Sequence, residues 1–201
     1  VAYHIYNTPG LILAATPSGE ASRFVYVFTK DLGLVGAHAQ NARSVKSKIR
    51  YAIDAPARAQ VALVRGKNMW RLVNAVPDKR FVSVFGVGTE KFELCARIFS
   101  LIKKLMPGEE ANPVLFSLID SFLEFIETNS NDSDSLDFDL KAAEAILILR
   151  MLHILGYIPD HSLATEFAQG TEWNPEIVSA MIPQRKEAVK VINGSLRATG
   201  L

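Results

Sequence analysis

Two periodicities divide the chain. Up to about residue 76, apolar positions come in short β-branched and aromatic stretches between turn signals, the pattern of strands. Residues 11–15 form one predicted strand, ended by Pro17-Ser18-Gly19. Residues 23–29 form the clearest one, with Phe24, Tyr26 and Phe28 on one face, expected in the core, and Arg23, Val25 and Val27 on the other. Lys30-Asp31-Leu32-Gly33 is a tight connection in which Gly33 can take positive φ, and residues 34–39 return as the partner strand. Residues 57–64 and 69–76 make a second hairpin around Arg65-Gly66-Lys67-Asn68. Residues 40–54, between the hairpins, are polar, basic and without alternation. Five short strands with one long connection fit a small Greek-key barrel, which leaves no edge exposed.

From about residue 89 the apolar repeat changes to three and four. Phe92, Cys95, Phe99, Ile102 and Leu105/Met106 mark one helix, with Thr89 as N-cap, Glu90 in the first turn and Met106-Pro107-Gly108 as the stop. Asn112-Pro113 opens a second, whose stripe is Leu115, Leu118/Ile119, Phe122 and Phe125/Ile126. Residues 136–155 are apolar on most sides and predict a helix at the centre of a bundle, closed by Gly156. Asn174-Pro175-Glu176 opens another helix; Pro183 is expected to divide two helices and Gly194 to close the last. Residues 80–88 fit a strand or a linker and are left unassigned. The fold class is α+β: a barrel-like module over residues 1–79, then an all-α module over residues 80–201.

Composition excludes several classes. The single Cys95 rules out an intramolecular disulfide and a four-cysteine zinc site, and the chain fits a reducing cytoplasm. Residues 1–10 lack a basic leader and an apolar run of signal length, so secretion is not expected. The most apolar stretch, residues 142–158, is broken by Glu144, Arg150 and His153, which predicts a buried helix and no membrane association.

Charge changes the picture more. The net charge is only +1, but residues 1–80 carry 12 basic and 4 acidic side chains, net +8, while residues 81–201 carry 10 and 17, net −7. Such asymmetry points to an anionic partner on the basic side. Arg43, Lys46, Lys48, Arg50, Arg58, Arg65, Lys67 and Arg71 face Asp54 alone over 29 residues. Cations spaced along a loop and a hairpin can neutralise successive phosphates without reading base sequence, and Trp70, Tyr51, Tyr26 and Phe28 offer planes for base stacking. The candidate nucleic-acid-binding residues are Arg23, Lys30, Arg43, Lys46, Lys48, Arg50, Arg65, Lys67, Trp70 and Arg71.

No catalytic constellation accompanies them. Residues 131–139 resemble a calcium loop but lack its mid-loop glycine and terminal glutamate, so helix N-capping is the expected role. The four histidines are scattered, without an H-x-x-x-H pair, and no G-x-S-x-G, P-loop or G-x-G-x-x-G occurs. No metal, cofactor or enzymatic activity is expected. Arg150, inside an apolar run, calls for a partner such as Glu144 or Asp120.

The order of these features resembles the RecO family of bacterial recombination mediators. Residues 8–13 (TPGLIL) are similar to its opening strand, residues 20–33 (EASRFVYVFTKDLG) to its second strand and turn, and residues 42–50 (ARSVKSKIR) to its basic loop. Residues 112–116 (NPVLF) and 152–160 (LHILGYIPD) match its helical part. The resemblance implies an N-terminal OB-fold over residues 1–79 and a helical domain over residues 80–201. It implies binding to single- and double-stranded DNA, strand annealing, and loading of recombinase onto DNA coated by single-stranded-DNA-binding protein. Implied partners are the acidic tail of that coating protein and RecR, in a cytoplasmic, nucleoid-associated setting. Many members carry a four-cysteine zinc module where this chain reads HSLATEFAQG at residues 161–170, so a zinc-less member is expected. The alternative is a protein-docking adaptor whose basic face binds an acidic peptide tail.

Overall fold

Strand alternation bends the N-terminal residues into a closed barrel in a computed structural model, which describes residues 4–87, 89–129, 139–158, 165–198 and 200. The strands are β1 (Ile5–Ser18), β2 (Ser22–Thr29), β3 (Gly33–Ala39), β4 (Ala57–Arg65) and β5 (Trp70–Pro77). They neighbour in the order β1-β2-β3-β5-β4, with β4 returning to β1. All pairs are antiparallel except β3–β5. This is the five-stranded barrel of an OB-fold.

β1 closes the ring because it belongs to both sides. Its first part pairs with β4 from Ile5 to Ile12, its second with β2 from Gly10 to Ser18, and the register shifts between Ile12 and Ala14. Gly10 sits where the two pairings overlap. A Cβ there would lie 2.8 Å from Val27 Cγ1 and 3.2 Å from Val61 Cγ2, closer than side chains pack.

The expected core face of β2 is corrected. Val25 and Val27 point into the barrel and are fully buried, whereas Phe24 and Tyr26 lie half-buried outside it. A five-stranded barrel is too narrow for a row of rings from one strand. Its interior holds small residues such as Ala37, Ala39, Ala57, Ala59 and Ala75 together with Trp70. The outer rings find their own cover: Phe24 meets Tyr26 edge-on at 5.3 Å, and Gly36, paired with Tyr26, leaves space that the Phe24 ring fills.

Residues 80–87 resolve into a short helix, α1 (Lys79–Val84), and the turn that follows it, residue 88 lying outside the described residues. Asp78 is its N-cap, accepting from the backbone N–H of Arg80 at 2.9 Å and of Phe81 at 3.3 Å, and it pairs with Arg58 at 2.8 Å. Burial pushes the Asp78 carboxyl up, but the Phe81 and Arg80 amides and the Arg58 guanidinium together hold it below its ordinary value. A depressed carboxylate stabilises the fold above its unfolded pKa of about 4 and loses that contribution as pH falls through and below it. Asp78→Ala should therefore cost about 1–2 kcal/mol at neutral pH in urea denaturation, the range of a lost cap. Asp78→Asn should retain most of the cap and flatten the acid side of the stability curve; an unchanged acid limb would show that Asp78 does not set it.

α2 (Glu90–Leu105) starts at Thr89, whose hydroxyl accepts from Phe92 N–H, and it packs against β1. The chain then returns to the barrel: Leu34 N–H donates to Gly108 C=O at 2.9 Å. Gly33, at φ +72°, faces the backbone of Glu110, whose oxygen would stand 2.2 Å from any Cβ. Barrel, α1 and α2 thus form one compact unit, Val1–Pro113, and the second unit is Val114–Leu201.

The second unit contains α3 (Pro113–Thr128, from its second residue), α4 (Leu140–Ile154), α5 (Thr165–Ala168) and α6 (Pro175–Ala198). α4 is buried over most of its surface, with Lys141 exposed and Glu144 and Ile148 half-buried along one side. It ends in paired C-cap bonds, Gly156 N–H to His153 C=O at 2.9 Å and Tyr157 N–H to Leu152 C=O at 2.8 Å. Gly156, at φ +76°, supplies the left-handed turn this requires. Pro183 does not divide two helices, and Gly194 does not end one: α6 runs through both. Its face of Val178, Met181, Ala188 and Ile192 is buried, and α6 packs on α4 across the proline. Pro183 and Ser179 are both exposed, so the carbonyl deprived of a donor meets water. The calcium-like run lies outside the described residues up to residue 138. Asp139, its last member, caps α4 by accepting from Lys141 and Ala142 N–H, and it pairs with Arg185 at 2.9 Å.

Arg150 is 1% exposed, yet among the described residues it does not take the expected carboxylate. Its Nε donates to Phe167 C=O at 3.1 Å and Nη1 to Glu172 C=O at 2.9 Å. The guanidinium carbon lies 4.4 Å from the centroid of Trp173, whose ring also packs on Phe122 and Phe125. Burial lowers the Arg150 pKa, but a guanidinium starts so high that it stays charged.

Candidate nucleic-acid interface

The candidate cations do not form one strip. β3 and β5 run parallel with Ala37 opposite Trp70, which sends the β4–β5 turn toward the β2–β3 turn and away from the loop that follows β3. One group therefore gathers where β1–β2 and the residue 40–56 loop meet. There Arg43 Nη1 donates to the carbonyls of Gly19 at 3.4 Å and Glu20 at 3.1 Å, and Arg43 N–H donates to Ala21 C=O at 2.8 Å. Asn41 N–H reaches Ser22 Oγ, and Arg23 pairs with Asp54. The other group, Lys30, Arg65 and Lys67, belongs to the two turns at the opposite end.

Local charge separates the groups further. Of Lys30, Arg65 and Lys67, Arg65 lies 3.7 Å from Glu109, and Asp31 follows Lys30 in sequence. At the other end the residue 40–56 loop carries Arg43, Lys46, Lys48 and Arg50 with Asp54 as its one carboxylate, and Asp54 pairs with Arg23. Arg43, Lys46 and Lys48 are exposed there, and the Lys46 and Lys48 side chains have no partner among the described residues. Arg71 is exposed on β5, between His38 of β3 and Val64 of β4.

The loop carrying this group is held without regular structure. Ala42, Ile49, Ala52 and Ile53 are buried in the barrel core and act as anchors, the last two on a 3-10 turn at Tyr51–Ile53. Between the anchors Arg43, Lys46 and Lys48 are left exposed and Arg50 is half-buried. Anchored backbone with free cations is the arrangement that tracks a phosphate chain.

Trp70 is not a stacking plane. It is 4% exposed inside the barrel, edge-on to Tyr6 at 5.3 Å, and its Nε1 has no acceptor among the described residues. Its position at the start of a strand with inward parity explains this. The plane that is available is Tyr51, 73% exposed, with the Arg50 guanidinium 5.8 Å from its ring centroid. Its sequence signal was an aromatic at the end of a polar, basic segment, where no apolar alternation gives it a core to enter.

Among the described residues no group of three or more His, Cys, Asp or Glu is placed to hold a metal, and no helix is long and apolar enough to cross a membrane. Cys95, the one cysteine, is fully buried in α2, so a thiolate zinc site does not fit this chain.

Comparison with known proteins places these features. A family model described as Recombination protein O N terminal matches residues 4–79. A DNA repair protein RecO from Dehalococcoides mccartyi is 30% identical over 130 residues, covering 63% of this chain and 50% of that protein. A DNA repair protein RecO from Heliobacterium modesticaldum is 25% identical over 168 residues, 84% of this chain and 58% of that one. One from Thermodesulfovibrio yellowstonii is 26% identical over 159 residues, 77% and 59%. The chain thus spans about half to three-fifths of the length of these relatives.

Proposed function

The chain belongs to the RecO family, and from that premise we propose that it is a DNA repair protein acting as a non-enzymatic mediator. In this reading it binds and anneals single-stranded DNA and helps load recombinase onto DNA coated by single-stranded-DNA-binding protein. On the same reading the barrel of residues 1–79 binds nucleic acid and the helical residues 80–201 serve docking, with α1 and α2 belonging to the barrel's compact unit. The acidic tail of the coating protein and a RecR-like subunit are its protein partners, and bacterial cytoplasm its setting.

The observation that carries the reading is the anchored loop at residues 40–56, with Arg43, Lys46, Lys48 and Arg50 set against few carboxylates. Titration of a labelled single-stranded oligonucleotide tests it. Each neutralised phosphate contributes about −0.7 to the log–log slope of affinity against salt, so this group alone should give a slope of roughly −2 to −3. A flat response, or no binding at low salt, would sink the reading.

Arg23 refines the expectation. Its charge is engaged by Asp54, so it adds little to the field at the loop. Asp54→Asn should release it, steepen the slope by about 0.7 and tighten binding roughly five- to tenfold at 50 mM salt. The same slope in both proteins would mean that Arg23 does not reach the strand.

A further inference from the structure

The basic loop leads into a cleft that phosphate binding does not use. Tyr51 forms one side of it, and Phe81, Val82, Phe85 and Phe92 from α1 and the start of α2 form much of the rest, around about 440 Å³. Clefts of about 300–1,000 Å³ take small planar ligands, so room is not limiting for a base and its sugar. Val82 is 55% exposed and Val87, at the mouth, 87%, a degree of exposed apolar surface uncommon beside a charged loop.

We infer that this cleft receives an unstacked nucleobase from the strand whose phosphates the residue 43–50 loop binds, with Tyr51 as the stacking plane. The inference rests on the DNA-binding reading above. Three observations select a base over other occupants. Tyr51 follows Arg50 directly, so strand and cleft are continuous over a single residue step. One side of the Tyr51 ring carries the Arg50 guanidinium, which can hold a phosphate while the ring receives the adjoining base. Lys79, exposed, is also among the cleft's lining residues and adds a cation there, and Asp54, the carboxylate in the cleft, is engaged by Arg23 and so does not repel a strand.

The walls are otherwise apolar, which predicts stacking without sequence readout: bases of any identity should enter, with purines favoured by area. Tyr51 is largely exposed, so replacing it leaves the barrel core intact.

The test compares two oligonucleotides of equal length, one of deoxythymidine and one of abasic sites, which carry the same phosphates. The full chain should bind the abasic strand roughly five- to hundredfold more weakly. Tyr51→Ala should lower affinity for the base-bearing strand toward the abasic value while leaving the salt slope of each unchanged. Tyr51→Phe, which keeps the plane, should restore it. Equal affinity of the native chain for both strands, with salt dependence intact, would overturn the cleft and leave the DNA-binding reading standing. Failure to bind either strand at low salt would overturn both. A loss on Tyr51→Ala equal for the two strands would also overturn it and leave the cleft to an apolar peptide.

Discussion

Replacing Arg43, Lys46 and Lys48 together by Ala should weaken single-stranded DNA binding on the order of a few hundredfold at 50 mM salt, with a salt slope shallower by about 2. The size follows from the loop's form. Each contact scales with salt to the power of about −0.7, so three contacts at one-twentieth molar compound multiplicatively. Arg43 also holds the β1–β2 tip through the Gly19 and Glu20 carbonyls, so its loss can loosen the loop as well as remove charge. Lys46→Ala with Lys48→Ala, at side chains without partners among the described residues, separates the two effects. That pair should account for most of the slope change with no loss of thermal stability. A matching triple replacement of Lys30, Arg65 and Lys67 should cost far less, because Arg65 is paired with Glu109 and the three are divided between two turns, not set on one anchored loop. Equal losses from the two triples would move the interface off the loop.

Arg150→Met should destabilise the second unit by about 3–5 kcal/mol, a large share of the 5–15 kcal/mol typical of a whole domain. The side chain is nearly isosteric, so the loss is chemical: two carbonyls, of Phe167 and Glu172, lose a charged donor, and Trp173 loses its cation. Arg150→Lys should recover only part, since one ammonium cannot span both carbonyls in the geometry of a guanidinium fork. Helical ellipticity followed through urea denaturation measures this. A change below 1 kcal/mol for the Met variant would show that the buried charge is dispensable. Through the Phe167 carbonyl the same arginine ties α5 to α4.

Much of this architecture was legible in the residues. Strand positions came from β-branched runs and turn glycines, and the Thr89 and Asn174 caps were readable because capping is local chemistry. Parity was not. Phe24 and Tyr26 look like core on hydropathy, but the interior of a narrow barrel selects by volume, and the smaller Val25 and Val27 won it. Pro183 was misread for a related reason: packing of α6 on α4 outweighs a local preference to stop. The basic run was visible as composition, but not its division between two ends, which depends on the parallel pairing of β3 with β5 and on where residues 108–110 return. Trp70 was misplaced for the same reason, since burial of its ring is decided by register that no local pattern encodes, whereas Tyr51, also offered as a stacking plane, is exposed.

That parallel pairing is also the shortest join in the ring, two residue pairs with Trp70 in one of them. Trp70 is buried in the first unit and Trp173 belongs to the second, and these are the chain's only two indoles. The protein thus carries one indole in each half. Intrinsic emission from single-tryptophan variants can follow the opening of each half separately, with no label attached, and the first reports from the join most easily parted.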